Sequence, residues 1–396
     1  MKNESVAILD IRSGEVSFLL GAKGVNNNFA FSGIHSERYD GFSLKGFFDK
    51  DDFCRCVMRV IGNVQQNYKG TIDEVYVGVP AALVSVVTKG QTRAFNTKHK
   101  LTAQDIEALF DRGMNELAHK GVCIRRSAMY FTLGDNRKYF SAEDLYGIPT
   151  TMLKGALSYY YVSGEFYDFI TSLLYSMGFN NVKLIPSTLA QSLYLLPKEK
   201  REGYAFLLDI GFITSSFSVV YGNGIVHEEN YNCGVAGVLV ALMEKLKIDF
   251  NLAEAILEIA NISGEDVPSD LMYSTDGDKR SFRASQVNDI IRCAVDKMCE
   301  PITKCVRKYS PDVTFVTITR NPISVTGEGV LGLKGIIEHV TNRVEWVAEM
   351  ACPDLPYYDK PTVSSRISLL DMAINDQVKN SSFWQRVLRF IGGKKV

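Results

Sequence analysis

The sequence predicts an α/β protein built from two similar halves. Two stretches share one order: an apolar run, an aspartate, a short polar turn, a second apolar run and a glycine-containing turn. The first spans residues 6–24 and carries Asp10, and the second spans residues 204–226 and carries Asp209. β-Branched and aromatic runs bounded by Gly and Asn are typical of strands and hairpins. Two copies half a chain apart indicate an internal duplication, although two unrelated hairpins would give the same pattern.

The composition is that of a globular protein long enough for more than one domain. The 396 residues are 46% hydrophobic and 22% charged, and the net charge of −1 gives no reason to expect nucleic-acid binding. The eight cysteines include no Cys-x-x-Cys pair, and the five histidines are dispersed. We therefore expect reduced thiols in an intracellular protein, without a zinc site. No secretory signal opens the chain, and no apolar run is long enough to span a bilayer.

The first half is predicted to contain strands, one helix and an inserted unit. Periodicity predicts a helix at 49–68, preceded by a flap-like loop at 39–46 and followed by a buried strand at 73–80. Residues 81–160 then form a small α+β unit. Its predicted elements are a strand pair at 84–95 hinged at Gly90, a helix capped by Thr102 with Asp105 at its third position, and strands near 129–133 and 152–162.

The second half alternates helices and strands around the second hairpin. The predicted helices are 165–177, ended by Gly178, then 188–196, 234–247, 251–261, 284–309 with a kink at Pro301, 334–343 and 361–373. The predicted strands outside the hairpin are 181–185, 314–318 and 323–325. Thr326, Gly327 and Gly329 form a Thr-Gly-x-Gly junction between a strand and a helix, where backbone N–H groups can approach a ligand closely.

Two aspartate-bearing hairpins followed by a Thr-Gly-x-Gly junction resemble the actin-like ATPase superfamily. In its finer detail the chain resembles the bacterial cell division protein FtsA. The stretches that carry this resemblance are 75–80, 101–106, 184–196, Gly234 with 253–254, 326–335 and 360–371. The resemblance implies an actin-like, duplicated ribonuclease H-like fold with two lobes, an inserted subdomain of the FtsA type called 1C, and a C-terminal amphipathic helix.

The resemblance also implies domain boundaries. The expected parts are a first lobe (1A) at 1–80 and 340–374, the inserted 1C subdomain at 81–160, a second lobe (2A) at 161–235 and 310–339, an outer subdomain (2B) at 236–309, a linker at 375–382 and an amphipathic helix at 383–396.

By the same resemblance, the cleft between the lobes is a nucleotide site. ATP would lie between the two hairpins, and hydrated Mg²⁺ would be held through Asp10 and Asp209, with no direct metal ligand. The residues implied for nucleotide binding are Asp10, Arg12, Ser13, Asp209, Gly211, Thr214, Ser215, Gly234, Glu254, Thr326, Gly327 and Gly329.

This site departs from the family pattern at several positions. Arg12 stands where the first phosphate turn has glycine, and Glu15 where it has lysine. Bulky Phe212 and Ile213 stand where the second turn has glycines, Leu257 replaces a lysine and Glu328 interrupts the glycines of the third turn. Two alternatives remain open: Arg12 acts as a phosphate ligand, or the cleft is packed and the protein works without nucleotide. In either case we expect no hydrolysis and assign no catalytic residue.

The C-terminal tail predicts an amphipathic helix that begins after Ser381 and Ser382. Five apolar side chains share one helical face: Phe383, Trp384, Val387, Leu388 and Ile391. Flanking or following this face are Arg386, Arg389, Phe390, Lys394 and Lys395. No acidic residue follows Asp376. A basic, tryptophan-bearing amphipathic helix on a polar linker is typical of an interfacial membrane anchor, although a terminal helix docked on the protein's own core is the alternative.

The resemblance implies a cell division protein that tethers FtsZ to the inner face of the cytoplasmic membrane at the division site. Its partners would be the FtsZ C-terminal peptide, docked on residues 236–309, an anionic membrane surface and further copies of itself in filaments. One alternative is a binding module like the pilus-assembly protein PilM, which grips a peptide of a membrane partner. Another is an ATPase or small-molecule kinase of the same superfamily, which would need an intact phosphate cradle.

Overall fold

A computed structural model shows two lobes, each built on a five-stranded mixed sheet, with a third, smaller sheet in the inserted segment. It describes residues 5–24, 28–117, 121–135, 137–264, 268, 271–274, 280–310 and 321–392, with side chains up to residue 378. The predicted strand at 314–318 lies outside the described residues. Within the described part, no helix combines the length and the apolar character needed to cross a bilayer.

The first lobe contains the first predicted hairpin at its centre. Its sheet has the order β11-β6-β1-β2-β3, with β1 at Val6–Ile11, β2 at Glu15–Lys23, β3 at Phe29–Arg38, β6 at Glu74–Val79 and β11 at Asn181–Pro186. Between β3 and β6 lie the short hairpin of β4 (Phe42–Ser43) and β5 (Gly46–Phe47) and the helix α1 (Lys50–Asn67). Asp49 caps α1, and the apolar face of the helix is buried on the sheet. Helices α3 (Gly164–Ser176) and α4 (Ser187–Leu195) flank β11.

The second lobe repeats this arrangement. Its sheet has the order β14-β13-β12-β17-β18, with β12 at Ala205–Ile210, β13 at Ser215–Tyr221, β14 at Gly224–Tyr231, β17 at Ile323–Thr326 and β18 at Ala348–Met350. The short helix α5 (Lys198–Arg201) leads into it, and the small hairpin of β15 (Met272–Ser274) and β16 (Ser281–Arg283) precedes its longest helix. The helices on this lobe are α6 (Val235–Leu246), α7 (Phe250–Ile259), α8 (Ala284–Tyr309), α9 (Gly329–Gly332) and α10 (Ile336–Val344).

The internal repeat extends to the register of the strands. Asp10 in β1 faces Ser17 in the antiparallel neighbour, and Asp209 in β12 faces Ser216 in the corresponding neighbour. Each central strand also has a parallel neighbour on its other side, β6 in the first lobe and β17 in the second. The two aspartates therefore occupy equivalent places, one residue before the end of each central strand.

The inserted segment has its own sheet and its own core. The sheet order is β7-β10-β8-β9, with β7 at Ser85–Lys100, β8 at Val122–Thr132, β9 at Lys138–Tyr139 and β10 at Pro149–Val162. Helix α2 (Ala103–Asn115) packs on it and is capped by Thr102, which forms the predicted capping box with Asp105. The predicted hinge at Gly90 is wrong, because Gly90 pairs with Ala156 in the middle of one long strand.

Two further predictions need correction. The second lobe does not end at residue 339: β18 adds a strand to its sheet through parallel pairing of Ile323 with Ala348, so this lobe continues to Met350. The linker predicted at 375–382 is helical, because α11 runs without interruption from Ser364 to Gly392. No proline or glycine occurs in 375–382 to end the helix, so Ser381 and Ser382 lie inside it rather than at its start.

Candidate functional site

The turns that follow the two central strands face each other across the cleft between the lobes. Asp10 lies at the first turn, is 1% exposed and accepts a hydrogen bond from Ser365 at 2.8 Å. Burial raises the pKa of Asp10 above its usual value, although the nearby Arg12 and Arg366 oppose this shift. Asp209 lies at the second turn, where its Oδ2 accepts a hydrogen bond from Gln191 at 3.0 Å.

Arg12 spans the cleft from the first turn. Its Nη2 donates to Oδ1 of Asp209 at 3.0 Å, and its Nε lies 3.8 Å from Oε1 of Glu328. The Arg12 side chain is 8% exposed. Burial alone would lower the pKa of Arg12, but the carboxylates of Asp209 and Glu328 outweigh it and raise the pKa above its ordinary value. Arg12 is thus a fixed cation between two carboxylates of the second lobe.

The hydroxyl oxygen of Ser13 accepts hydrogen bonds from the backbone N–H groups of the second turn. Its Oγ accepts hydrogen bonds from the N–H groups of Ile213 at 3.1 Å and Thr214 at 3.3 Å. Consecutive N–H groups that converge on one point are the arrangement that binds phosphate oxygens in nucleotide-binding turns. In this chain a hydroxyl oxygen from the opposite lobe takes that point.

Apolar side chains close the remainder of the cleft. A Cβ atom on Gly14 would lie 2.7 Å from Cδ1 of Phe212, so the first turn packs directly on this ring. Ile213 extends from the second turn and packs against the core of the first lobe. Among the described residues, a positive φ outside glycine occurs at Lys247, Glu345 and Tyr357. The second turn therefore accommodates Phe212 and Ile213 without the backbone geometry that glycine would provide.

The Thr-Gly-x-Gly junction packs closely against the side chain of Asp209. Gly327 has φ of +97°, and a Cβ atom there would lie 2.2 Å from Oδ1 of Asp209. Only glycine allows this approach without displacing the carboxylate. Thr326 hydrogen-bonds Ser364 at the start of α11 at 2.8 Å. Burial raises the pKa of Glu328, with Arg12 opposing the shift.

Two cavities of very different size are found near the two turns. The cavity between the hairpins measures about 30 Å³, which is room for only a few water molecules. Its lining includes Arg12, Ser13, Gln191, Asp209, Thr214 and Ser365. The second cavity measures about 450 Å³ and is lined by residues that include Arg38, Phe212, Glu254, Leu257, Glu328 and Leu331.

The cleft in this form does not fit ATP with Mg²⁺. A triphosphate needs several times the 30 Å³ between the hairpins. Arg12 neutralises Asp209, one of the two carboxylates through which the metal would be held, and Ser13 uses the N–H groups that would receive phosphate oxygens. The larger cavity has the size of a small-ligand site, but it shares no lining residue with the space between the hairpins.

The structure brings the predicted cleft residues together. Seven lie on the two facing turns: Asp10, Arg12, Ser13, Asp209, Gly211, Thr214 and Ser215. Thr326, Gly327 and Gly329 back the second turn, Gly234 packs against the backbone of Phe212, and Glu254 lines the larger cavity. The sequence indicated no role in the cleft for Tyr39, whose hydroxyl donates to the backbone oxygen of Arg12 at 2.5 Å. It also indicated none for Gln191, Ser364 and Ser365. For Ser364 and Ser365, the only local pattern that could have indicated a role is that two serines are adjacent at the start of the last helix.

The predicted membrane-binding side chains are not described. The backbone is helical through Gly392, but the side chains of Phe383, Trp384, Arg386, Val387, Leu388, Arg389, Phe390 and Ile391 lie outside the described residues, as do Lys394 and Lys395 altogether.

The sequence matches no protein-family model and no curated protein. Among solved structures, the chain is similar to one in the PilM–PilN type IV pilus biogenesis complex, with a TM-score of 0.61, 12% identity and coverage of 93% of this chain and 98% of that chain. It is also similar to MreB5 of Spiroplasma citri bound to ADP, with a TM-score of 0.56, 11% identity and coverage of 96% and 98%. A third similar structure is the ethanolamine utilization protein EutJ from Carboxydothermus hydrogenoformans, with a TM-score of 0.52, 11% identity and coverage of 93% and 90%.

The chain therefore has the actin-like two-lobed α/β fold, as the sequence predicted. At this level of identity the similarity establishes the fold alone. MreB5 is also known in a form bound to AMPPNP, so the same fold holds a nucleotide there. In this chain, Arg12 and Ser13 occupy the cleft.

Proposed function

We propose that the chain is a nucleotide-independent, FtsA-like adaptor that binds peripherally to the inner face of the cytoplasmic membrane at the division site. In this role it tethers FtsZ polymers through the FtsZ C-terminal peptide and provides a scaffold for septum assembly. The observation that carries the proposal is an actin-like fold whose cleft is closed by its own residues, from which a long C-terminal helix continues into a basic, apolar sequence.

Closure of the cleft supports a scaffold rather than an ATPase or kinase. Arg12 and Ser13 make the contacts between the hairpins that a nucleotide and its metal would make in an enzyme of this fold. A protein with such a cleft has no nucleotide cycle to drive a conformational change. Its use is therefore to hold partners in fixed positions.

The course of the last helix supports a membrane tether. Its first turns are part of the body, where Leu369, Leu370 and Ala373 are fully buried. Asp376 is the last acidic residue and pairs with Arg125 of the inserted segment, and the exposed Val378 follows. Beyond it the sequence contains only basic, polar and apolar residues, in the amphipathic order of an interfacial helix.

The expected affinity of one tail for a membrane is modest. Six half-buried apolar side chains contribute about 1 kcal/mol each, or about 6 kcal/mol before the cost of ordering the helix. Each Lys or Arg near an anionic surface adds about 1 kcal/mol. One tail therefore binds reversibly, while a row of tails on a filament binds stably through high local concentration. Membrane binding and self-association are accordingly coupled in this proposal.

The alternative function is a PilM-like module that binds a peptide of a membrane partner. The similarity to the chain of the PilM–PilN complex, which covers 98% of that chain, favours it. Such a module depends on the body and not on the tail. The two functions therefore differ in whether removal of residues 379–396 abolishes membrane association.

Co-sedimentation with liposomes tests the proposal. The full chain should sediment with anionic vesicles, a truncation lacking residues 379–396 should stay in the supernatant, and Arg386→Glu with Arg389→Glu should weaken binding to anionic vesicles selectively. Trp384 provides a second readout, because its fluorescence should shift to the blue on binding and Trp384→Phe should remove the shift. Binding of the truncated chain that equals binding of the full chain would overturn the membrane tether.

The FtsZ partner needs a separate test. Fluorescence anisotropy with a labelled FtsZ C-terminal peptide should show binding to the truncated chain, since the expected docking surface is residues 236–309. The same peptide in reversed order is the control. Membrane binding without peptide binding would leave a membrane adaptor for another partner and contradict the FtsZ assignment.

A further inference from the structure

Three potential metal ligands from two distant parts of the sequence meet at the edge of the second lobe. His227 and Glu229 alternate along β14, so both side chains leave the same face of the strand. That face packs against α8, which supplies Cys305. The imidazole, carboxylate and thiol ligand atoms all lie within 4.8 Å of one another.

We propose that His227, Glu229 and Cys305 form a zinc-binding site. Imidazole nitrogen, carboxylate oxygen and thiolate sulfur are the three donor types that zinc takes from proteins, and three protein ligands plus one water are common where the site is open. From the sequence we expected no zinc site, because these ligands share no motif spacing and converge only through the fold.

The geometry needs only small side-chain movements to hold the ion. Zinc bonds of about 2.0–2.3 Å at tetrahedral angles place ligand atoms about 3.3–3.6 Å apart. His227 Nε2 and Glu229 Oε1 are 2.9 Å apart and share a hydrogen bond, so the ion takes the place of that proton. The Cys305 sulfur lies within 4.8 Å of both atoms and needs to move about 1 Å toward them to bind the same ion.

Neighbouring groups already orient two of the ligands. The Tyr231 hydroxyl donates to the other oxygen of Glu229, Oε2, at 2.8 Å. The His227 ring stacks on Tyr309, with ring centroids 5.8 Å apart and planes at 30°. Such outer contacts fix the direction of ligand atoms and raise metal affinity.

The site is reachable from solvent on one side. The side chains of His227 and Glu229 are 34% and 33% exposed, while Cys305 is 3% exposed. An ion can therefore enter past the imidazole and the carboxylate and retain a water molecule as its fourth ligand. Because the thiol must lose its proton, binding should strengthen as the pH rises.

Zinc titration of the full chain, stripped with a chelator and kept reduced, tests the site. In competition with a chromophoric chelator, the wild type should bind one zinc ion per chain. Cys305→Ser and His227→Gln should each lower the affinity at least tenfold. Cys299→Ser, which removes another buried thiol of the same helix, should bind zinc as the wild type does.

Cobalt substitution of the wild type gives a second readout that needs no variant. A thiolate-to-cobalt charge-transfer band, with the visible bands of a tetrahedral ion, should appear at one equivalent and be absent from Cys305→Ser. If Cys305→Ser does not fold, His227→Gln and the wild-type spectrum decide. The proposal is overturned by a wild type without stoichiometric binding, by unchanged affinity in His227→Gln, or by a cobalt spectrum without the thiolate band.

Discussion

Arg12 and Asp209 are 197 positions apart in the sequence, yet Nη2 of one donates to Oδ1 of the other at 3.0 Å. Each residue lies at the end of the central strand of its lobe. Both side chains are largely buried, with exposed fractions of 8% and 13%. The two halves of the actin-like fold are therefore joined at the centre of the cleft by an ion pair that belongs to the chain itself.

Removal of the Arg12 cation should strongly destabilise the fold. In Arg12→Met, Asp209 and Glu328 lose their counter-charge in a buried place, and the expected loss is about 3–5 kcal/mol in the free energy of unfolding. Urea unfolding measures it. Arg38→Met is the matched control, because this exposed arginine lies 3.9 Å from Glu254 and should contribute under about 1 kcal/mol. Equal losses in the two variants would contradict a structural role for the Arg12 pair.

Ser13 should contribute through the backbone donors that it satisfies. Ser13→Ala leaves the N–H groups of Ile213 and Thr214 without this acceptor, with an expected cost of about 1–3 kcal/mol. Ser32→Ala, which removes an exposed serine–serine contact, is the control and should be near neutral. The same urea experiment applies. A neutral Ser13→Ala would mean that these donors are satisfied in another way.

Glu228 should make stability depend on pH near neutrality. Burial raises its pKa to about 7, although a hydrogen bond from Ser218 at 3.1 Å opposes the shift. Between the ordinary pKa of 4.5 and about 7 the folded state holds a proton that the unfolded state has lost, so stability falls as the pH rises through this window and stays low above it.

Glu228→Gln should remove that fall, because the amide does not ionise. Relative to the wild type, the variant should gain roughly 1–3 kcal/mol in unfolding free energy between pH 5 and pH 8. Thermal or urea unfolding over this range measures the difference. Glu199→Gln, at an exposed position, is the control and should follow the wild type. A variant curve parallel to that of the wild type would show that Glu228 does not titrate there.

Arg125 and Asp376 should fix the base of the last helix to the inserted segment. Their two hydrogen bonds measure 2.5 and 2.9 Å. A double-mutant cycle with Arg125→Gln and Asp376→Asn should give a coupling energy above about 1 kcal/mol, compared with under about 0.5 kcal/mol for the exposed pair of Lys50 and Glu165. Hydrogen exchange should also become faster near Asp376 in the single variants. A coupling energy near zero would show that contacts other than this ion pair hold the base of the helix in place.

The sequence predicted the features that depend on neighbouring residues. The hairpins around Asp10 and Asp209, the cap at Thr102 and the helix end at Gly178 follow from local propensity and turn chemistry. The sequence also showed that the two phosphate turns depart from the family pattern, because Arg12, Phe212 and Ile213 stand where glycine is expected.

The features that the sequence did not predict depend on contacts between distant residues. Nothing near Arg12 indicates that its partners are Asp209 and Glu328. The sequence therefore left two interpretations open, Arg12 as a phosphate ligand or a packed cleft that works without nucleotide, and neither included this ion pair. Gly90 resembled a hinge because its ladder partner, Ala156, lies on a strand much later in the chain. The short strand β18 has too few residues for a periodic signal and forms only by pairing with β17.

Calorimetric titration of ATP with Mg²⁺ into the chain lacking residues 379–396 tests whether the cleft is occupied by the chain's own residues. The wild type should give no binding heat, because Arg12 and Ser13 hold the places of the metal and of a phosphate oxygen. Arg12→Gly, provided that it folds, is the control and should show more binding heat than the wild type, because Asp209 is no longer paired with the guanidinium. Saturable binding by the wild type that is abolished by Asp209→Asn would show instead that the cleft is open to nucleotide.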